Sequence, residues 1–292
     1  MRRRAMTHSV MGIDIGGTKL LMVAQRTGDG GPLIRRLATG GATTPDEIEA
    51  AIEGFVAEHH LTPAYMGIAV PGLIEDGRVT VCDVLPKLNG WRGPAATGIS
   101  HILVNDIRCA LAEEAAGLAE SPTIAVMLCG TAVGSAYLHQ GRVVRGCRGW
   151  AGEIGYMPVP TPQGILRLDE LAGGAAIVRA TGLSPAQVHA ALAAGDTTVR
   201  QIVDAAGEAF GLAIATLVNI LNPDTLRAAG GTLGYPGYWD TALATARTHS
   251  LPELWDSCAV DRIKDPELVV ARGALRLAAA AADGAPWVRQ YV

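Results

Sequence analysis

The chain has 292 residues, with 24 Lys and Arg against 28 Asp and Glu, a balance that excludes a basic nucleic-acid binder and allows one large or two modest domains. Hydrophobic residues make up 49% but aromatics only 4%, and 48 Ala and 36 Gly supply much of the mean hydropathy of +0.24. The five cysteines, Cys82, Cys109, Cys129, Cys147 and Cys258, are odd in number and far apart with no CxxC pair, which excludes a disulfide framework or a zinc knuckle; they are read as packing residues.

In chain order, the start Met1–His8 is basic, but no apolar segment with a small-residue cleavage site follows it. A soluble, cytoplasmic enzyme is the resulting expectation. Apolar runs Ser9–Asp14, Leu20–Gln25 and Leu33–Leu37 predict a β-meander broken by Gly16-Gly17-Thr18. Thr44–His60 has helical period and opens Thr-Pro-Asp-Glu, a helix start signature. A buried strand Tyr65–Val70 ends at Pro71-Gly72, and another, His101–Val104, leads into a helix from Ile107 to Leu118.

Ser121–Gly141 is 21 residues without a charge, long enough to span a bilayer. Its glycines, proline and hydroxyl residues predict instead two strands, Thr123–Leu128 and Ser135–Leu138, joined by the turn Cys129–Gly134. A strand Val143–Arg145 follows, then helices over Leu171–Thr181, Ser184–Ala193 and Thr198–Leu221, the last stopped by Asn222-Pro223. The strand Thr225–Ala229 ends at Gly230-Gly231, and an Ala-rich helix covers Glu267–Ala281. Strands and helices in a similar order, stated twice, predict two α/β domains with a cleft between them: 1–120, joined by the C-terminal helix at 267–283, and 121–266.

Asp14-Ile-Gly-Gly-Thr-Lys19 lies between two strands, and its paired glycines let backbone amides approach something bulky and anionic, with Thr18 and Lys19 adding donors. An acid four residues before Thr18 suits a Mg²⁺–phosphate complex, directly or through metal-bound water. A plain Gly-Gly hairpin turn explains the same hexapeptide equally well. Neither GxxxxGK[ST] nor a helix-opening GxGxxG is present. The turn Gly130-Thr131-Ala132-Val133-Gly134 stands at the matching point of the second half, where it can clamp phosphates from the other side. Val104-Asn105-Asp106 then places a carboxylate at a strand end before a helix, a position that N-capping also explains. Gly152-Glu153-Ile154-Gly155-Tyr156 and Leu168-Asp169-Glu170 add further acids.

These segments together resemble the ROK (repressor, open reading frame, kinase) family of bacterial sugar kinases, which is glucokinase-like and has the two-lobed actin/hexokinase-type (ribonuclease H-like) α/β ATPase fold with an interlobe cleft. The resemblance runs from Asp14-Ile-Gly-Gly-Thr-Lys19 through Ala69-Val-Pro-Gly72, Asn105-Asp106, Gly130-Thr131 and Ala151-Gly-Glu-Ile-Gly155 to Gly230-Gly231. It implies an ATP- and Mg²⁺-dependent kinase acting on a hydroxyl of a hexose, an amino sugar or a cyclitol, with Asp106 as general base. Gly72, Asn105, Glu153, Tyr156 and Glu170 would hold the acceptor. Asp14, Gly16, Gly17, Thr18, Lys19, Gly130, Thr131 and Gly134 would hold phosphates and Mg²⁺, and Gly230-Gly231 the nucleoside side. A homodimer and closure of the lobes about a connection near Glu120-Ser121-Pro122 follow from the same resemblance, while the charge balance and the content of Ser121–Gly141 lead to the expectation of no nucleic-acid and no membrane partner.

Three departures stand out. The family reads Glu-Ile-Gly-His where this chain has Tyr156, and the three zinc-ligand cysteines that follow there are replaced by MPVPTPQGILRL over 157–168. No structural zinc is therefore expected, and the prolines at 158, 160 and 162 would restrain the loop in its place. Ala132 and Ser135 stand where glycines are usual, Ala132 being harmless only at negative φ.

A catalytically impaired sugar-binding or regulatory member is the alternative. The 13 residues before Asp14 are too few for the winged helix of the family's repressors. Elsewhere the readings are bland: His59-His60 as a solvated helix end, Cys147 as packing, Lys264 as surface, and Trp150 as either a sugar-stacking ring or a core residue.

Overall fold

The computed structural model describes residues 9–25, 31–118 and 121–292; the basic start at 1–8 and the expected connection at Glu120 lie outside them. The chain divides into two units, Met1–Gly117 with Arg145–Trp150 and Glu267–Val292, and Leu118–Val144 with Ala151–Pro266.

In the first unit, β1 (Val10–Ile15), β2 (Lys19–Ala24) and β3 (Leu33–Ala38) form the expected antiparallel meander. Helix α1 (Pro45–Glu58) follows, then β4 (Tyr65–Val70) parallel to β1, a hairpin of β5 (Leu73–Glu75) and β6 (Arg78–Val81), and β7 (Ser100–Asn105) parallel to β4. The five-stranded order is β3-β2-β1-β4-β7. α1 starts where its capping box dictates: the Glu47 carboxylate accepts the Thr44 N–H at 2.8 Å, Pro45 opens the first turn, and Ile48, Ile52 and Phe55 form its buried stripe. The β5–β6 hairpin turns at Asp76 (φ 51°) and Gly77 (φ 64°), the left-handed pair that a two-residue turn needs. Helix α2 (Asp106–Glu114) springs directly from β7.

The last α-helix, Val269–Ala282 (α9), belongs to this unit and lies on β1 and β4. Gly12 and Gly67 are register partners on those strands, and a Cβ on either would collide with an α9 carbonyl oxygen, of Ala271 and Ala274 respectively. Small residues here set how near the helix can come to the sheet, and that is what the Ala and Gly content is used for.

The second unit repeats the sheet. β8 (Ile124–Cys129), β9 (Val133–His139) and β10 (Arg142–Val143) form an antiparallel meander, and β13 (Thr225–Ala229) and β14 (Ala259–Arg262) add in parallel, giving β10-β9-β8-β13-β14. The uncharged stretch 121–141 is thus two strands and a turn. Between β10 and β13 stand the hairpin β11 (Pro158–Thr161) with β12 (Gly164–Arg167), and helices α3 (Leu168–Leu171), α4 (Gly174–Thr181), α5 (Pro185–Ala193) and α6 (Thr197–Leu221). α7 (Tyr238–His249) and α8 (Pro252–Ser257) precede β14.

α6 is long and apolar enough to cross a membrane by composition, but Val203, Phe210, Ile214 and Val218 are fully buried in the unit's core. It ends at Asn222, whose left-handed backbone (φ 43°) caps it before Pro223.

Several expectations are corrected. β9 begins at Val133, so the glycine turn is shorter than expected and Gly134 sits inside a strand opposite Leu128. The helix expected over 171–181 is two, interrupted at Ala172-Gly173. α7, α8, β14 and both short hairpins were not foreseen. Cys147 is exposed, while the other four cysteines are buried as expected. The prolines at 158 and 160 lie in a strand rather than in an open loop, with Pro158 opposite Arg167 and Pro160 opposite Ile165; a two-stranded ribbon has outer edges that tolerate a missing N–H.

Candidate functional site

In the first unit, the parallel strands β1, β4 and β7 bring Asp14, Gly72, Asn105 and Asp106 to their carboxyl ends, where open α/β sheets hold ligands. Asp14 is the penultimate residue of β1 and only 8% exposed. Burial pushes its carboxyl up to about 7, the charge of Asp106 adds to the rise, and Lys19 opposes it. The buried Asp14 carboxyl therefore feels both the Asp106 carboxylate and the Lys19 ammonium at this end of the sheet.

The turn after Asp14 is closed by Gly16 N–H donating to the Lys19 carbonyl at 2.8 Å. It is pinned from outside by Thr39, whose hydroxyl donates to the Gly16 carbonyl at 2.6 Å and whose N–H donates to the Thr18 carbonyl at 3.1 Å. Neither glycine has positive φ; what Gly17 needs is room, because a Cβ there would stand 3.2 Å from the Val84 side chain. Thr18 is exposed and Lys19 half-buried. The segment is therefore a hairpin turn, and its open, pinned backbone is also what a phosphate cradle requires.

Gly72 has φ +127°, and a Cβ on it would collide with the Val81 carbonyl. Its own carbonyl accepts Asn105 Nδ2–H at 2.9 Å, so the Pro71-Gly72 turn and the Asn105-Asp106 pair are fastened together. Asp106 is the first residue of α2, not its N-cap; Asn105 takes that place without a side-chain cap bond. One Asp106 oxygen accepts the Ile107 N–H at 2.8 Å.

Behind it, buried Arg108 donates to the Gly149 carbonyl and, at 3.4 Å, to the Tyr291 carbonyl, clamping Arg145–Trp150 and the chain end onto α2. Arg148 grips the Glu75 carboxylate at 3.1–3.2 Å and lies 4.1 Å over the Trp150 ring, so one face of that indole is covered.

In the second unit, β8 and β13 deliver the two other glycine segments side by side. The Gly130 carbonyl accepts from Gly174 N–H at 2.8 Å and from the Thr232 hydroxyl at 2.9 Å, while Ala175 N–H donates to the Thr131 carbonyl at 3.1 Å. Gly230 (φ +121°) must be glycine, since a Cβ would strike the Cys129 carbonyl. Ala132 does not have positive φ, so its methyl costs nothing. Ser135 is buried and pins the acidic wall: its N–H and hydroxyl both donate to the Gly152 carbonyl, at 2.9 and 2.8 Å.

Glu153 is exposed beside this anchor. Tyr156 is 57% exposed, with the Arg167 guanidinium 5.0 Å over its ring. Glu170 accepts the Arg167 N–H at 2.9 Å and its guanidinium at 3.3 Å, and these hold its carboxyl below the ordinary range. The side chain that reaches the turn is its neighbour. Asp169, noted in the sequence but given no role there, accepts the Val133 N–H at 2.6 Å and packs on Gly155, and burial raises its carboxyl. The adjacency of two acids at a helix start was the available signal, since only one of them can face inward.

A zinc ion does not fit here. Tyr156–Leu168 contains no His or Cys, and among the described residues no three His, Cys, Asp or Glu side chains gather at a point. The hairpin β11–β12 is closed instead by its own ladder and by Leu168 N–H donating to the Met157 carbonyl at 2.9 Å.

The model of the ROK family matches residues 10–281. The chain belongs to the ROK family. Among its relatives, the bifunctional enzyme NanE/NanK of Brucella suis is 29% identical over 255 residues, covering 82% of this chain and 48% of that protein. The chain thus spans about half the length of that relative. The glucokinase of Halalkalibacterium halodurans is 26% identical over 300 residues, with 87% of each chain covered.

Among solved structures, the ROK family glucokinase of Streptomyces griseus in complex with glucose and AMPPNP superposes with a TM-score of 0.74 at 22% identity, covering 92% of this chain and 99% of that one. ROK membership and this likeness fix the fold class as the two-lobed actin/hexokinase-type α/β fold, and the relatives of this ROK chain include a glucokinase, an N-acetylmannosamine kinase and an N-acetyl-D-glucosamine kinase.

Proposed function

We propose that this ROK-family chain is an ATP- and Mg²⁺-dependent kinase that phosphorylates a hydroxyl of a hexose, amino sugar or cyclitol, with Asp106 as general base. The observation that carries the reading is the placement of Asp106 at the carboxyl end of β7, fastened through Asn105 to Gly72 and sharing its surroundings with the buried Asp14.

Phosphoryl transfer has a loose transition state, so positioning and charge neutralisation carry most of the catalysis. A base of ordinary carboxylate pKa suffices when it takes the acceptor proton late. In this reading Asp106 accepts that proton, and Gly72, Asn105, Glu153, Tyr156 and Glu170 orient the acceptor. Asp14 with the Gly16-Gly17-Thr18-Lys19 backbone, and Gly130-Thr131 with Gly230-Gly231, receive the donor. Mg²⁺, when bound, neutralises phosphate charge; Asp14 holds it directly or through water, and one or two carboxylates are the usual protein share of such a site.

The two departures on the phosphate side favour activity over an inert descendant: Ala132 is unstrained, and Ser135 ties down the acidic wall. A homodimer, a cytoplasmic location and the absence of a structural zinc belong to the same reading. About one zinc per purified chain by elemental analysis would remove the last of these.

The direct test is ADP release with Mg·ATP over a panel of hexoses, N-acetylhexosamines and cyclitols. At least one acceptor is expected to give turnover that needs Mg²⁺. A folded protein silent on every acceptor, with Asp106→Asn indistinguishable from wild type, overturns the proposal.

A further inference from the structure

Thr232 follows Gly230-Gly231 in the short 3-10 turn Gly231–Gly234 and is 4% exposed. Its hydroxyl donates to the Gly130 carbonyl at 2.9 Å, the oxygen that also receives Gly174 N–H at 2.8 Å, so that both lone pairs of this carbonyl are filled. The fit is close: a Cβ on Gly174 would stand 2.9 Å from the Thr232 hydroxyl and 3.0 Å from the Gly130 oxygen. Directly beneath, the Cys129 thiol lies against Thr232 and against the Tyr238 hydroxyl, which itself donates to the Ala172 carbonyl at 2.8 Å. One carbonyl, that of Gly130, therefore joins three segments: its own turn after β8, the turn after β13 through Thr232, and the start of α4 through Gly174.

We propose that Thr232 is a positioning residue for the phosphoryl donor, its hydroxyl holding the Gly130–Ala132 turn against Gly230-Gly231 so that the two turns present a single fixed backbone surface to the nucleotide. The identity of the ligand rests on the kinase reading above; the joining of the two turns does not. A half-buried carbonyl that loses one of its two donors is held only by the one that remains. Here that is Gly174, so the turn would shift toward α4 and away from β13.

The test uses Thr232→Val, which keeps shape and removes the donor, beside Thr232→Ser, which keeps the donor and removes the methyl. Isothermal titration of the full-length protein with Mg·AMPPNP reads nucleotide affinity, and steady-state kinetics read the two Michaelis constants. The valine variant is expected to weaken AMPPNP binding about tenfold, and to raise KM for ATP alike while KM for the acceptor stays within twofold. The serine variant is expected to stay near wild type in both.

Valine binding AMPPNP as wild type does, serine failing as badly as valine, or both Michaelis constants rising together would each overturn the proposal. If the wild type binds AMPPNP but phosphorylates nothing on the panel, the kinase reading fails and the titration still decides the role of Thr232. A wild type that binds no nucleotide ends both.

Discussion

The two units share one sheet order and use it in opposite ways. At the carboxyl ends of β1, β4 and β7 the functional groups are charged: Asp14 is buried and pushed up to about 7, with Asp106 contributing to the rise. At the ends of β8 and β13 they are neutral backbone, held by Thr232, Gly174 and the obligatory glycine at 230. The same sheet order thus ends in titrating carboxylates in one unit and in hydrogen-bonded neutral backbone in the other.

The difference has measurable consequences, and the largest concerns Asp14. Its folded-state pKa of about 7 exceeds the ordinary 3.8, so between these values the folded chain keeps a proton that the unfolded chain has lost. Stability therefore falls as pH rises from about 4 to about 7 and is level above, by a total of about 4 kcal/mol at most. In thermal melts without nucleotide or Mg²⁺, Asp14→Asn is expected to raise Tm at pH 8 and to leave it near wild type at pH 4.5. An unchanged pH profile would remove the charged character assigned to the first unit.

Gly230→Ala is the counterpart. A methyl at φ +121° that strikes the Cys129 carbonyl costs about 2–3 kcal/mol, and this loss is expected to be the same at pH 5 and pH 8, since no titrating group is involved. Denaturant titration at the two pH values checks it.

A smaller effect is expected for Ser135→Ala, which deletes the hydroxyl bond to Gly152 but keeps the backbone one: about 1 kcal/mol, with a raised KM for the acceptor and an unchanged KM for ATP. The smallest is Glu170→Gln. Its partner Arg167 is exposed, and exposed ion pairs add little, so Tm is expected not to move measurably; a large loss would mean that the Arg167 bonds, not the ladder, close the β11–β12 hairpin.

Much of the architecture was legible because the signals were local. The Thr44–Glu47 capping box, the six-residue apolar strands and the Asn222-Pro223 stop each depend on neighbours in sequence. The β5–β6 turn carried an equally local Asp76-Gly77 signal that went unread. Strand β14 and helix α8 were hidden for another reason: neither has a buried residue to carry a hydrophobic pattern, and β14 is placed by pairing with a strand more than 30 residues away, as Thr225 with Ala259.

The site was legible as a set of motifs and not as a set of bonds. The family resemblance drew attention to Glu170, yet only coordinates separate it, engaged by Arg167, from Asp169, which holds the Val133 amide. Cys147 was placed among packing residues because nothing in a sequence distinguishes a thiol on a surface turn from one in a core.

In the proposed reaction Asp106 receives the acceptor proton, while Asp14, the Gly16–Lys19 turn and the neutral cradle of the other unit bind the nucleotide without it. Steady-state ADP release and Mg·AMPPNP titration on Asp106→Asn and wild type, with whichever acceptor the panel identifies, test both halves at once. The account requires kcat to fall by about 10²–10⁴-fold with the AMPPNP Kd within about threefold of wild type. An Asp106→Asn enzyme that turns over within a few-fold of wild type would contradict it.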